Sequence, residues 1–277
     1  IEGAEVTVTN PTYDGYAWPY PAGVKVVLDG KTLQYQVDYK YPTLNSPAIN
    51  AGGSHTVTIQ GIGNYTGTIE KSWTIEPRNV PHPTLTVEDG VYNNGNEVRP
   101  TITLTDDRGK TIDPKEYAVE FENNTGAGTG TVTITDKDGG NYILGTANTT
   151  FTIAKAPAPT LTAYPVTQKY TLKAGQTITL PNLESLGMPS DTQVSGANAF
   201  HSGSYSPEGK IANGWGVDVD TGAITYALAD GVAAGDVITF TLLVRSKNYE
   251  DATVTVKLTL TERDAPILTL PDIITVD

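Results

Sequence analysis

The chain has no cysteine, one methionine and three histidines in 277 residues. Without cysteine there are no disulfides, no thiolate zinc sites and no cysteine nucleophile. His55, His82 and His201 lie far apart, on an alternating strand, a proline linker and a Ser/Gly-rich loop. No serine stands in a Gly-x-Ser-x-Gly elbow, so a Ser-His-Asp triad has no support. No apolar run is long enough to span a bilayer, and no signal segment opens the chain, so Ile1 reads as the start of an excised piece. Basic residues are also scarce: 18 Lys and Arg stand against 31 Asp and Glu, for a net charge of −13. Nucleic-acid binding needs clustered cations that displace counterions, and none cluster here. A diffuse negative charge chiefly favours solubility. Together these gaps point away from catalysis, cofactors, nucleic acid and membrane insertion.

Turn and strand formers are abundant. There are 28 glycines and 18 prolines, with frequent Thr and Val and no sustained helical period, as expected of many short strands. One pattern occurs twice. Residues 13–75 open on Tyr13-Asp14-Gly15, pass through Asp38-Tyr39, Ala51-Gly52 and Thr56-Val57-Thr58-Ile59, reach Gly63-Asn64-Tyr65-Thr66-Gly67-Thr68 and close on Trp73-Thr74-Ile75. Residues 92–153 open on Tyr92-Asn93-Asn94, pass through Glu116-Tyr117, Ala127-Gly128 and Thr131-Val132-Thr133-Ile134, reach Gly140-Asn141-Tyr142 and Gly145-Thr146, and close on Phe151-Thr152-Ile153. The offset is 79 residues at Tyr13/Tyr92 and 78 at Ile75/Ile153. A repeat of this length can carry its own small core, which indicates tandem domains.

Proline marks the joins, at 75–86, 153–162 and 264–269, where fixed φ keeps short linkers stiff. The expected domains are therefore repeat 1 at 1–77, repeat 2 at 78–155 and a divergent third module at 156–264. Residues 265–277 are read as a linker and the start of another module. Strands are expected throughout. Tyr35 to Tyr41 should put Tyr35, Val37, Tyr39 and Tyr41 on one face, matched by Tyr117, Val119 and Phe121. In the third segment, residues 181–214 read as long loops, and strands are expected at 175–180, 236–245 and 252–260. Asn248-Tyr249 enters its terminal strand as Asn64-Tyr65 and Asn141-Tyr142 do, with the Tyr expected to plug the end of its sandwich.

The order Tyr-Asp-Gly, Asp-Tyr, Ala-Gly, Val-Thr-Ile, Gly-Asn-Tyr-Thr-Gly-Thr and aromatic-Thr-Ile resembles the Ig-like tandem repeats, of the YDG or MBG type, of gut Firmicutes surface proteins. Val219 to Tyr226 and Ser246 to Ala252 are similar to another bacterial Ig-like module often found beside such repeats. The second copy departs at Tyr92-Asn93-Asn94, and Pro42 to Pro47 in the first copy faces only Asn123-Asn124 in the second. The resemblance implies an all-β chain of tandem Ig-like β-sandwich domains arranged as a rod, extracellular, on the bacterial surface or secreted.

The remaining candidates weigh chemistry against turn building. Asp136 to Asn141 and Asp218 to Gly222 place alternate acids before Gly, but neither completes a calcium loop and both suit plain turns, so no metal is assigned. Paired carboxylates lack a single deep cleft to share. Lys25 and Lys257, the candidates for an isopeptide crosslink, alternate onto solvent faces. Tyr16, Trp18 and Tyr20 crowd one loop beside Tyr13, and Trp215 follows the loops of the third segment. Flat rings of this kind stack on sugars, so these four are the candidate ligand-binding residues. The function expected is a non-catalytic, monomeric stalk or adhesive segment. The alternatives are a module binding a host or dietary glycan or a matrix protein, and an accessory region of a secreted carbohydrate-active enzyme.

Overall fold

A computed structural model describes residues 1–42, 47–170, 175–190, 199–212 and 214–262. The 265–277 segment and Pro42 to Pro47 therefore fall wholly or largely outside the described residues. The strands are β1 (Glu5–Thr9), β2 (Gly23–Leu28), β3 (Lys31–Thr32), β4 (Tyr39–Lys40), β5 (Gly52–Gly61), β6 (Thr68–Ile75), β7 (Arg78–Asn79), β8 (Thr84–Val87), β9 (Gly90–Val91), β10 (Ile102–Thr105), β11 (Tyr117–Glu122), β12 (Gly128–Asp136), β13 (Tyr142–Ile143) and β14 (Ala147–Ala154). They continue as β15 (Tyr164–Lys169), β16 (Gln176–Ile178), β17 (Phe200–Ser206), β18 (Gly216–Val217), β19 (Ile224–Tyr226), β20 (Val237–Val244) and β21 (Ala252–Thr261). Two short 3₁₀ turns, Pro114–Glu116 and Leu183–Leu186, complete the regular structure of the described residues, and the fold is all-β.

The chain divides into two compact units. The first holds Ile1–Asp89, Arg99–Asn123 and Thr129–Phe151. Its N-terminal part is a sandwich of two sheets, ordered β1-β2-β3 and β4-β5-β6. Period-two alternation explains which residues meet between them. Val6 and Val26 point in from one sheet, and Val57, Ile59, Trp73 and Ile75 from the other. Val26, Val57, Ile59 and Ile75 are fully buried, each stabilising the fold by about 1.5–3 kcal/mol relative to exposure. The expected strand over Tyr35 to Tyr41 is broken. Gln36 takes φ of 66°, and the backbone turns before β4, with Val37 59% exposed. A residue in the left-handed region cannot continue a strand. Tyr35, Tyr39 and Tyr41 nevertheless gather, with rings 4.7–6.2 Å apart.

The same unit carries a second core of Val80, Leu104, Ile112, Tyr117, Val132, Ile134, Tyr142 and Leu144. Here β8 pairs with β10 and β11 with β12, both antiparallel. Tyr117, Val119 and Phe121 do share a face of β11, as the alternation requires. Arg78 is anchored in this core's rim by Asp106 and Asp107. Asp106 Oδ2 lies 2.8 Å from Arg78 Nη1, an ion pair off the line of a hydrogen bond, while Asp106 Oδ1 accepts the amides of Arg108 and Lys110. Burial pushes the Asp106 carboxyl up, but those two amides and the Arg78 charge outweigh it and hold it below the ordinary value.

The second unit holds Gly90–Val98, Asn124–Gly128 and the chain from Thr152 on. Its sandwich has sheets ordered β15-β21-β20-β17 and β16-β19-β18. Ile238, Phe240, Leu242 and Val244 of β20 and Val254, Val256 and Leu258 of β21 are fully buried. Ile178, Ile224 and Tyr226 close over them from the other sheet. The long-loop expectation for 181–214 is corrected, because β17 runs through it and pairs antiparallel with β20. The Gly and Ser that suggested a loop sit at its bulge between His201 and Gly203, where a missing side chain makes room: a Cβ on Gly203 would come 3.0 Å from Trp215 and 3.1 Å from Leu242. His201 thus lies on a strand, 2.8 Å from Asp251.

One construction recurs. The opening segment of each copy runs parallel to its terminal strand: Thr12 bridges Glu76, β9 pairs with Ile153 and Ala154, and β15 pairs with β21 from Tyr164/Val256 to Lys169/Thr261.

Candidate functional site: two joints built on Asn-Tyr

The Asn-Tyr pair before the terminal strand makes more than a plug. In the first unit, β7 and β13 pair in parallel, so that Arg78 N donates to the Asn141 carbonyl at 2.9 Å and Val80 N to that of Ile143 at 2.8 Å. The Asn141 side chain turns the other way. Its Oδ1 accepts from Ala51 N at 2.6 Å, and its Nδ2 donates to Asn50 Oδ1 at 3.3 Å. Glu116 holds it in place, accepting from Asn141 Nδ2 at 2.9 Å and from Asn141 N at 3.2 Å. Tyr142, a member of its own core as expected, also sets its ring edge-on to Tyr13, with centroids 5.3 Å apart at 78°. One dipeptide of the second copy is therefore bonded to the opening Tyr and the Ala-Gly turn of the first.

The second unit repeats the backbone bond, the side-chain bond to the Ala amide and the tyrosine pair. Ala156 N donates to the Asn248 carbonyl at 2.9 Å. Asn248 Oδ1 accepts from Ala127 N at 3.0 Å. Tyr249 lies edge-on to Tyr92, 5.3 Å apart at 79°, and donates its hydroxyl to Asn94 Oδ1 at 2.7 Å. Ser246 Oγ takes the orienting role, accepting from Asn248 N at 3.3 Å. Tyr249 is buried but is not part of the C-terminal apolar core. Asn141, Tyr142, Asn248 and Tyr249 are all 4–7% exposed. A buried Asn needs its polar atoms satisfied, which fixes its orientation and makes the joint geometrically specific. Burial, then the Tyr13 phenol, raises the Tyr142 pKa, and burial with Glu116 raises that of Tyr13, so both hydroxyls stay neutral at physiological pH.

The residues proposed as ligand binding have mixed settings. Tyr16 is 75% exposed. Trp18 packs partly against the first core, pairs with Ala48 through the backbone and donates its indole N–H to Asp14 Oδ1 at 3.2 Å. Tyr20 lies 4.5 Å from Tyr41, which stacks on Tyr35 in turn. Burial, followed by the neighbouring phenols, drives the Tyr41 pKa up. Trp215 packs partly on the C-terminal core beside Tyr205 and Phe240. Of the first three, Tyr20 joins the tyrosine cluster; Trp215 belongs to the other unit.

The acidic loops are occupied with turns. Asp136 Oδ1 accepts the amides of Leu144 and Gly145, and Asp218 Oδ1 accepts from Asp220 N, Thr221 N and Thr221 Oγ1. No cluster of three metal-ligating acids or histidines occurs among the described residues. Lys25 and Lys257 are exposed on β2 and β21.

No protein-family model matches the chain, and no curated protein matches it. Among solved structures it is similar to Drosophila N-cadherin EC1-4, with 14% identity over 94% of this chain and 66% of that one and a TM-score of 0.31. It is similar to mouse cadherin-23 EC22-24, with 14% identity over 95% and 100% and a TM-score of 0.28. For Sidekick-1 immunoglobulin domains 1-4 the values are 11%, 94%, 76% and 0.29.

Proposed function

We propose that residues 1–77, 78–155 and 156–264 are three Ig-like sandwich modules that act as a spacer in a bacterial cell-surface protein. The segment is non-catalytic and monomeric, and it presents or adheres rather than transforms. One observation carries the reading: the same Asn-Tyr joint is built twice with matching hydrogen bonds. A chain that repeats a joint at this detail fixes the orientation of successive modules, which is the task of a spacer. Tyrosine, asparagine and backbone amides do the holding, so the joint needs no bound ion. Small-angle scattering tests this. An extended particle, unchanged in length by a chelator, is the expected result; a collapsed particle at physiological salt would remove the spacer reading.

The second reading is glycan binding by the first module, favoured by two separate features of it, the 75% exposed Tyr16 and the Tyr20-Tyr41-Tyr35 ring stack. Stacked, rigid aromatic rings offer contact area at low entropic cost. The experiment is an array of host, plant and microbial glycans with matrix proteins, probed with the intact chain. A hit lost in Tyr16→Ala places the site there. Trp18→Ala and Trp215→Ala serve as comparisons, with folding monitored because both rings also pack on cores.

A further inference from the structure

The first copy carries the same dipeptide, Asn64-Tyr65, and on one side its backbone pairing matches that of the first joint. Ile1 stands where Val80 stands, at the 79-residue offset. Its N-terminal nitrogen donates to the Thr66 carbonyl, as Val80 N donates to Ile143. Ile1 is 8% exposed and belongs to the first core, as Val80 belongs to the second. The register of an incoming chain is thereby set: a residue two positions ahead of Ile1 falls where Arg78 and Ala156 fall. Asn64 itself is exposed, whereas Asn141 and Asn248 are buried against a neighbour.

We infer that Asn64-Tyr65 is a docking element for one further sandwich module of the same construction, joined through the N-terminus. That module would present a backbone N–H at an Ala-Gly turn to Asn64 Oδ1, and a tyrosine edge to Tyr65. It would also send its post-strand segment along Asn64-Tyr65-Thr66 in parallel. The inference rests on the spacer reading and extends it from two joints to a general coupling. The carboxylate that orients Asn141 is one methylene shorter here. Asp38 occupies the position of Glu116 and accepts from Gln34 N at 2.9 Å. The incoming amide, rather than a carboxylate, then fixes the Asn64 rotamer. Lys31 donates to the Tyr65 hydroxyl at 3.0 Å, at the polar end of the ring.

The 79-residue offset makes the test direct. A copy of residues 1–79 placed immediately ahead of Ile1 reproduces the register of the first joint. In this extended chain the added copy's Ala51 amide is expected to exchange with solvent at least tenfold more slowly than in the same chain carrying Asn64→Ala. In the unextended chain, Asn64→Ala should leave stability unchanged, because Asn64 is exposed there. Equal exchange rates in the two extended chains, with the added copy's Val57 and Ile59 amides protected to prove it folded, would overturn the inference. Should that copy not fold, residues 78–157 placed ahead of Ile1 give the same comparison at Ala127. Asn141→Ala in the original chain separates the two ideas. If it fails to expose the Arg78 amide, the joint reading falls and this inference with it. If it does expose Arg78 while the added module shows no protection, only this inference falls.

Discussion

Replacing Asn141 with Ala should open the first joint without unfolding either core that it connects. The side chain accepts from Ala51 N at 2.6 Å and donates to Glu116 at 2.9 Å. Leaving a buried amide without its acceptor costs about 1–3 kcal/mol, and a hydrogen bond to a charged group is worth about 1.5–3 kcal/mol. Glu116 and Ala51 are only half-buried, so water recovers part of both terms and the net falls near 2–3 kcal/mol. At about 1.4 kcal/mol per tenfold, the open joint becomes roughly 30- to 150-fold more populated. Ala51 N is a poor reporter, since the substitution deletes its own acceptor. Arg78 N is a better one, because its acceptor is the Asn141 main-chain carbonyl, which alanine keeps. Native-state hydrogen exchange should therefore show the Arg78 and Val80 amides losing protection by the stated factor, while Val57 and Ile134 in the two cores do not change. A loss under threefold at Arg78 would refute the reasoning and reduce the Asn-Tyr pair to a local turn.

Other expectations follow from the same geometry. Asn248→Ala should free the Ala156 amide to a similar extent, read by the same exchange measurement. Acid should weaken the second core. The Asp106 carboxyl is depressed in the folded state, so its contribution is fully present above its unfolded value of about 3.9 and is lost as pH falls through the lower folded value. Urea titrations at pH 7 and pH 3 should show this, and Asp106→Asn should flatten the difference while lowering stability by less than a fully orphaned buried charge would, because Asp107 still pairs with Arg78. Phe240→Ala should cost the C-terminal sandwich about 3–5 kcal/mol, seen in calorimetry as a lowered transition for that sandwich alone. Gly130→Ala should cost about 1–3 kcal/mol, because its Cβ would meet the Phe151 ring at 2.4 Å; a neutral effect on melting temperature would show that the ring swings away freely.

Much of this architecture was legible from alternation. Val57 and Ile59, or the buried face of β21, declare themselves because every second side chain in a strand meets the core. The long-loop reading of 181–214 failed on composition: β17 is written in Phe, His, Ser, Gly and Tyr, and its glycine is there to admit Trp215, not to make a turn. The strand over Tyr35 to Tyr41 failed because alternation of residue types survived while one positive φ at Gln36 broke the backbone. The recurrence of Asn-Tyr before each terminal strand was visible as spacing. Its role was not, since the partners of Asn141 lie 90 residues away at Ala51, and no local pattern relates a side-chain amide to a distant turn. The Tyr20-Tyr35-Tyr41 stack escaped for the same reason: Tyr20 joins it from a different loop.

The parallel pairing of opening and closing segments has a mechanical meaning. When a chain is pulled by its ends, a strand pair whose ends lie at the same edge opens like a zipper, one bond at a time. In β15 and β21 the ends lie at opposite edges, and their register runs unbroken from Tyr164/Val256 to Lys169/Thr261. Tension along the polypeptide therefore slides one strand past the other and strains that whole set of bonds together. Strands paired this way share the load along their whole register, and because β21 carries Val254, Val256 and Leu258 the same pull would have to disturb the core to part them.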